Sequence, residues 1–138
     1  MKKKKKIVLT TGGTGGHLFP AQFLATYLKE KEKEMDILFL GGGLSRNRFF
    51  KNHLFSYQEV KVSRLKWNLL STFFSLLRGL WKSWKILSRE RPDYVIGFGS
   101  FYSFPPLAAA VLRKIPCILF EPNMVPGRVN RFFSKYAC

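Results

Sequence analysis

The residues best suited to chemistry stand together: Gly12, Gly13, Thr14, Gly15, Gly16 and His17. Four glycines in five positions let the backbone come close to a ligand, and Thr14 adds a hydroxyl donor. Ile7-Val8-Leu9 precedes them, and Leu18-Phe19-Pro20-Ala21 opens a helical pattern. A strand that turns on glycines into a helix N-terminus gathers backbone N–H groups around an anion. His17 stands where the turn becomes helix, and an imidazole can move a proton near neutral pH. The plainer reading is a tight strand-to-helix turn without a ligand.

Two familiar phosphate motifs are excluded. A dinucleotide fingerprint starting at Gly13 needs its third glycine at position 18, which is Leu18. The ribose-binding carboxylate is also missing, because the second strand, Asp36 to Leu40, runs into Gly41-Gly42-Gly43. No Gly-Lys-Ser/Thr follows the first glycines, so a P-loop fails too. No metal-ligand spacing occurs, no cofactor is implied, and His53 lies in a polar connector with no role.

The elements that must position these residues alternate. Helix from Pro20 to about Glu34 follows the first strand, with Phe23, Leu24, Tyr27 and Leu28 at helical spacing. A short helix is expected from Leu44 to about Asn52, a strand from Tyr57 to Val62, and a long helix from Leu69 to Glu90 stopped by Arg91-Pro92-Asp93. Tyr94 to Gly97 reads as strand, Pro105 to Arg113 as helix, Cys117 to Phe120 as strand and Arg128 to Lys135 as a basic helix. Such alternation predicts an α/β fold, a mostly parallel sheet with helices on both faces and ligands at the carboxyl ends of the strands. Three polar, glycine-containing loops leave those ends, at residues 12–17, 97–103 and 121–127, and are expected to converge on one site.

The chain has 138 residues, 46% of them hydrophobic, enough for one domain with a core. Its formal charge is +16; without the lysines at 2–6 the rest still carries 19 basic against 8 acidic residues, or +11. Nucleic acid, an anionic membrane and a phosphorylated substrate are the partners such a balance permits. Residues 61–91 hold all three tryptophans, Trp67, Trp81 and Trp84, and eight Lys/Arg against the single acid Glu90. On a helical projection Arg78, Lys82, Lys85 and Arg89 form a stripe, with Leu69, Phe73, Leu76, Leu80 and Leu87 opposite, expected to face the core. Leu70, Phe74 and Trp81 border the stripe, an arrangement suited to an anionic lipid interface, and the charges argue against a membrane span. A core helix with a solvated basic face is the alternative. Nucleic acid ranks behind both, because the aromatics do not form a stacking platform, and it is not among the expected partners. Cys117, inside an apolar strand, reads as a buried thiol; with Cys138 it makes no disulfide framework, and with no apolar leader the reducing cytoplasm is expected.

The residues 12–21, Gly-Gly-Thr-Gly-Gly-His-Leu-Phe-Pro-Ala, resemble the N-terminal signature of the MurG-type transferases of bacterial peptidoglycan synthesis. Residues 92–100, Pro-Asp-Tyr-Val-Ile-Gly-Phe-Gly-Ser, are similar to the family's fourth strand and glycine loop. Phe120-Glu121-Pro122-Asn123, with Pro126, Gly127 and Asn130, is similar to its His-Glu-Gln-Asn loop and following helix; Phe120 and Pro122 replace the histidine and glutamine. Ser100 and Phe101 stand where the family commonly has glycine and tyrosine.

The resemblance covers essentially the whole chain. It implies a GT-B fold of two Rossmann-like domains, of which this chain is the N-terminal one. Residues 1–6 are then a basic tail and 7–138 the acceptor- and membrane-binding domain, ending before the donor domain. The implied reaction moves N-acetylglucosamine from UDP-N-acetylglucosamine, with inversion, to undecaprenyl-pyrophosphate-linked muramyl-pentapeptide (lipid I), giving lipid II. The implied place is the cytoplasmic face of the bacterial inner membrane, peripherally bound.

From the family pattern, Thr14, Gly15, Gly16 and Asn123 contact a diphosphate; Gly99, Ser100 and Asn130 contact the acceptor. His17 is the first choice of general base and Glu121 the alternative base or an acceptor-orienting carboxylate. The membrane face is Leu70, Phe74, Arg78, Trp81, Lys82 and Lys85. Alone, the chain is expected to be inactive. Two other readings are a non-catalytic binder of anionic membrane or lipid pyrophosphate, and a nucleotide-binding domain of another enzyme.

Overall fold

The computed structural model describes residues 3–62 and 68–138; the expectation placed on Trp67 falls outside them. Among the described residues five strands form one parallel sheet in the order β3-β2-β1-β4-β5. They are β1 (Lys6–Thr10), β2 (Asp36–Gly41), β3 (Ser56–Glu59), β4 (Tyr94–Gly97) and β5 (Cys117–Leu119). Leu9 pairs with Phe39 on one side and Ile96 on the other, which makes β1 the strand from which the chain order departs in both directions. In such sheets the crevice opens at the carboxyl end beside that strand.

Side chains alternate across the sheet as the period of two requires. Val8, Leu38, Leu40, Val95 and Cys117 pack one face against α2 (Leu69–Glu90) and α3 (Phe104–Leu112), with Ile86, Leu87 and Leu107 buried between. Ile7, Leu9, Ile37, Phe39, Ile96 and Phe98 pack the other face against Leu18, Ala21 and Ala25 of α1 (Gly15–Lys31) and the rings of Phe50 and Phe55. Burial pushes the Cys117 thiol up to about 11, as expected of a core cysteine.

Several boundaries differ from the sequence expectation, each for a local reason. Helix α1 starts at Gly15, not Pro20, because Thr14 O accepts from the N–H groups of both His17 and Leu18 at 3.2 Å. His17 therefore lies inside the first helical turn. The expected helix from Leu44 to Asn52 is a single 3-10 turn, Leu44–Arg46. The Asn47 side chain ends it by accepting from Phe49 N at 2.9 Å while donating to Gly13 O at 2.8 Å, a local bonding pattern that competes with helix. Strand β3 stops at Glu59, although Val60 N still bonds Gly41 O at 2.9 Å. Helix α4 covers Arg128–Phe133, and a 3-10 turn, Ser134–Tyr136, follows.

Helix α2 runs from Leu69 to Glu90, the boundaries expected. Asn68 caps it, its side chain accepting from Leu70 N at 3.1 Å, and Arg91 closes it in a left-handed conformation ahead of Pro92. The expected core face needs correction. Leu87 is buried and Leu76 and Leu80 partly so, but Leu69 and Phe73 are 90% and 56% exposed. Twenty-two helical residues rise about 33 Å, whereas a four-residue strand such as β4 spans about 13 Å. The buried α2 positions are Gly79, Ser83, Ile86 and Leu87, so the first turns extend past what the domain can cover.

Candidate functional site

The loops after β1, β4 and β5 meet at the carboxyl edge of the sheet, as a parallel sheet with loops leaving those strand ends predicts. His17 Nδ1 lies 2.8 Å from Phe98 O, joining the first turn of α1 to the end of β4. A carbonyl only accepts, so in the neutral ring the proton sits on Nδ1 and Nε2 keeps its lone pair. Gly99, at φ +83°, fills the narrow space beside the ring: a Cβ there would lie 3.3 Å from His17 Nδ1 and 3.6 Å from Asn130 Nδ2.

Glu121 organises the third loop. One carboxylate oxygen accepts from Asn123 N at 3.1 Å and Asn123 Nδ2 at 3.0 Å; the other accepts from Gly127 N and Asn130 Nδ2, both at 3.0 Å. Partial burial pushes its pKa up, but these four N–H groups outweigh that, and the carboxyl is held below its usual value. Asn130 also donates to Phe120 O at 2.9 Å and is 4% exposed; its Oδ1 meets no partner among the described residues.

His17, Gly99, Ser100, Glu121, Asn123 and Asn130 border one open cleft of about 340 Å³. Thr14, Gly15 and Gly16 do not line it; they form the turn that leads to His17. Thr14 is the N-cap of α1, and its hydroxyl makes no capping bond. Among the described residues no backbone carbonyl accepts from Gly15 N or Gly16 N, so the helix start presents free donors. Two contributors escape a reading of the sequence. Asn47 ties its loop to Gly13 O, and Tyr102 lies against Gly12 and Gly42. Both act between loops distant in sequence, and neither belongs to a local motif.

A second surface lies on α2. Leu70, Phe74 and Trp81 are 68%, 57% and 62% exposed. With Arg78 and Lys82 they border a broad groove of about 1090 Å³, and Lys85 Nζ sits 3.7 Å from the Trp81 ring centre. The exposed apolar area is wider than expected, because Leu69, Phe73 and Leu77 join it. Among the described residues no helix is long and apolar enough to cross a membrane.

A five-stranded parallel sheet in the order 3-2-1-4-5, with its glycine turn and cleft at the carboxyl edge, makes this a Rossmann-like α/β domain of the kind that builds GT-B enzymes. The chain belongs to glycosyltransferase family 28: residues 7–138 match that family's N-terminal domain. It is 46% identical over 137 residues to the UDP-N-acetylglucosamine–N-acetylmuramyl-(pentapeptide) pyrophosphoryl-undecaprenol N-acetylglucosamine transferase of Protochlamydia amoebophila. It is 40% identical over 143 residues to the Chlamydia pneumoniae protein of the same name. These matches cover 96% and 99% of this chain but only 36% and 39% of the relatives, so the chain spans well under half of their length. Among solved structures, Acinetobacter baumannii MurG superposes with a TM-score of 0.84 at 26% identity, over 96% of this chain and 40% of that one. A UDP-GlcNAc 2-epimerase from Neisseria meningitidis, bound to UDP-GlcNAc, superposes at 0.67 with 14% identity over 96% of this chain and 38% of that one, a likeness of fold alone.

Proposed function

We propose that this chain is the acceptor-side domain of a transferase that moves N-acetylglucosamine from UDP-N-acetylglucosamine to lipid I, forming lipid II. The observation that carries the reading is the His17–Phe98 bond beside the Glu121, Asn123 and Asn130 cleft, in a chain 46% identical to a transferase of that name. His17 Nε2 takes the proton of the acceptor hydroxyl. The hydroxyl oxygen bonds to the anomeric carbon of the donor sugar from the side opposite the diphosphate, and the bond from that carbon to the diphosphate oxygen breaks. UDP leaves with the electron pair, and the anomeric configuration inverts.

The Thr14 hydroxyl and the free N–H groups of Gly15 and Gly16 are suited to a diphosphate's negative charge, and Asn123 on the third loop is assigned to the same ligand by the family pattern. Gly99, Ser100 and Asn130 form the acceptor wall. Glu121, ionised and bonded at both oxygens, is a poor base; it sets the positions of Asn123 and Asn130. The exposed rim of α2 and the basic side chains beside it hold the domain against anionic lipid on the cytoplasmic face of the inner membrane, where a lipid-linked acceptor is reached.

The test is incorporation of labelled N-acetylglucosamine into lipid I by the protein at its relatives' length. His17→Ala is expected to lower turnover about 10²–10⁴-fold, the range for loss of a general base. Turnover within a few-fold of the parent would remove His17 from the chemistry. A specific observation favours one further reading, a membrane-binding module without catalysis: the wide apolar rim of α2. Vesicle binding by a protein of relatives' length that transfers no sugar would select it.

A further inference from the structure

We propose that Tyr102 is a positioning residue. Its ring is wedged between the turns that follow β1 and β2, and it holds the N–H groups at the start of α1 in the geometry that receives a diphosphate. This rests on the reading of that turn as a diphosphate site.

Tyr102 lies in the 3-10 turn Phe101–Ser103 after β4. A Cβ added at Gly42 would fall 2.1 Å from Tyr102 Cδ1, far inside any contact distance. One added at Gly12 would fall 3.0 Å from Tyr102 Cβ and 3.1 Å from Cδ2. Glycine at 12 and 42 thus makes room for a ring as well as for a ligand. The wedge is itself fixed. Tyr102 N donates to Ser100 Oγ at 3.3 Å, and the buried Ser103 hydroxyl sits between two carbonyl oxygens, Gly99 O at 2.5 Å and Thr10 O at 3.1 Å, where the first turn begins. Asn47 Nδ2 holds Gly13 O from another loop.

The physical need is clear from composition. A turn with four glycines in five residues has many accessible backbone conformations, and a ligand that had to select one of them would bind more weakly. A rigid ring with two torsions, locked among three loops, removes that freedom before the ligand arrives. Tyr102 acts through the turn and touches no reacting atom.

The experiment titrates the chain with inorganic pyrophosphate and follows amide NMR shifts in Tyr102→Phe, Tyr102→Ala, Gly42→Ala and the double variant. Tyr102→Phe keeps the wedge and is expected to bind within about twofold of the parent, while Tyr102→Ala weakens binding about tenfold, the weight of one charged hydrogen bond. Gly42→Ala, whose methyl displaces the ring, is expected to weaken binding similarly, yet to add nothing once Tyr102 is alanine. Such non-additivity marks two residues acting through one contact.

Parent-like binding by folded Tyr102→Ala, or full additivity in the double variant, overturns the proposal. If Tyr102→Ala does not fold, Tyr102→Leu takes its place, with intermediate weakening expected and parent-like binding overturning. If the parent chain binds no pyrophosphate, the diphosphate reading fails by itself. The wedge is then read from hydrogen exchange at Gly12, Gly13 and Gly42. Faster exchange in both turns of Tyr102→Ala supports it, and unchanged exchange overturns it.

Discussion

Ser100 has φ +78° and ψ 145°, a conformation that side chains with a Cβ rarely adopt. Such strain costs about 1–3 kcal/mol, and here it is tolerated because the Ser100 hydroxyl accepts from Tyr102 N and turns the chain into the next helix. Replacing it with glycine removes the strain at the cost of that bond and some unfolded-chain entropy. Ser100→Gly is therefore expected to stabilise the fold by about 1 kcal/mol, read from the urea midpoint. Glu121 gives a pH signature. Its folded pKa is lowered below the ordinary 4.5, so its contribution is complete above that value and is lost as pH falls below it through the lowered folded pKa. Glu121→Gln should reduce stability at neutral pH, because the amide NH₂ faces N–H donors, and should flatten the decline below pH ~4.5; an unchanged acid limb would remove Glu121 as its source. His17 was legible in the sequence as a candidate beside its glycines, whereas Glu121 and Asn130 were singled out only through the family resemblance of their loop. Asn47 and Tyr102 were not legible, because each works across a gap of tens of residues and is informative only when three loops are seen together.

At the scale of elements, what could be read depended on whether the signal was local. The end of α2 was visible through Arg91-Pro92, because a helix stop is written in adjacent residues, whereas the Asn68 cap at its start is a finding of the structure. Which of its apolar residues are covered was not visible. Periodicity assigns Leu69 and Phe73 to a face but says nothing about how far the neighbouring strands and α3 extend. The exposed aromatic rim leads to a direct expectation. Trp81→Glu should weaken binding to anionic vesicles by about 1–3 kcal/mol, since it loses a large apolar group and places a negative charge among Arg78, Lys82 and Lys85. Co-sedimentation at low salt checks this, and unchanged binding would take α2 out of the membrane contact.

At the scale of the molecule, the alternation of strands and helices was sufficient to foresee a parallel sheet and the edge at which its loops gather. It could not give the strand order, which depends on crossovers that leave no mark in local pattern. The proposed division of labour predicts that the 138-residue chain binds pyrophosphate and vesicles but transfers no sugar, because it spans only 36% and 39% of the length of the transferases it matches. Turnover of lipid I by this chain alone would refute the division.

The overhang of α2 carries a mechanical corollary. The helix begins after β3, at the same end of the sheet as the cleft, and its first turns pass beyond the domain's cover. Under the proposed lipid contact those turns would make α2 a depth stop, fixing how high the cleft rides above the headgroups. Each helical turn added or removed there would change that clearance by about 5.4 Å. Acceptors whose sugars stand at a different height from the bilayer would then fall out of reach, so selection by stand-off distance would accompany selection by chemistry.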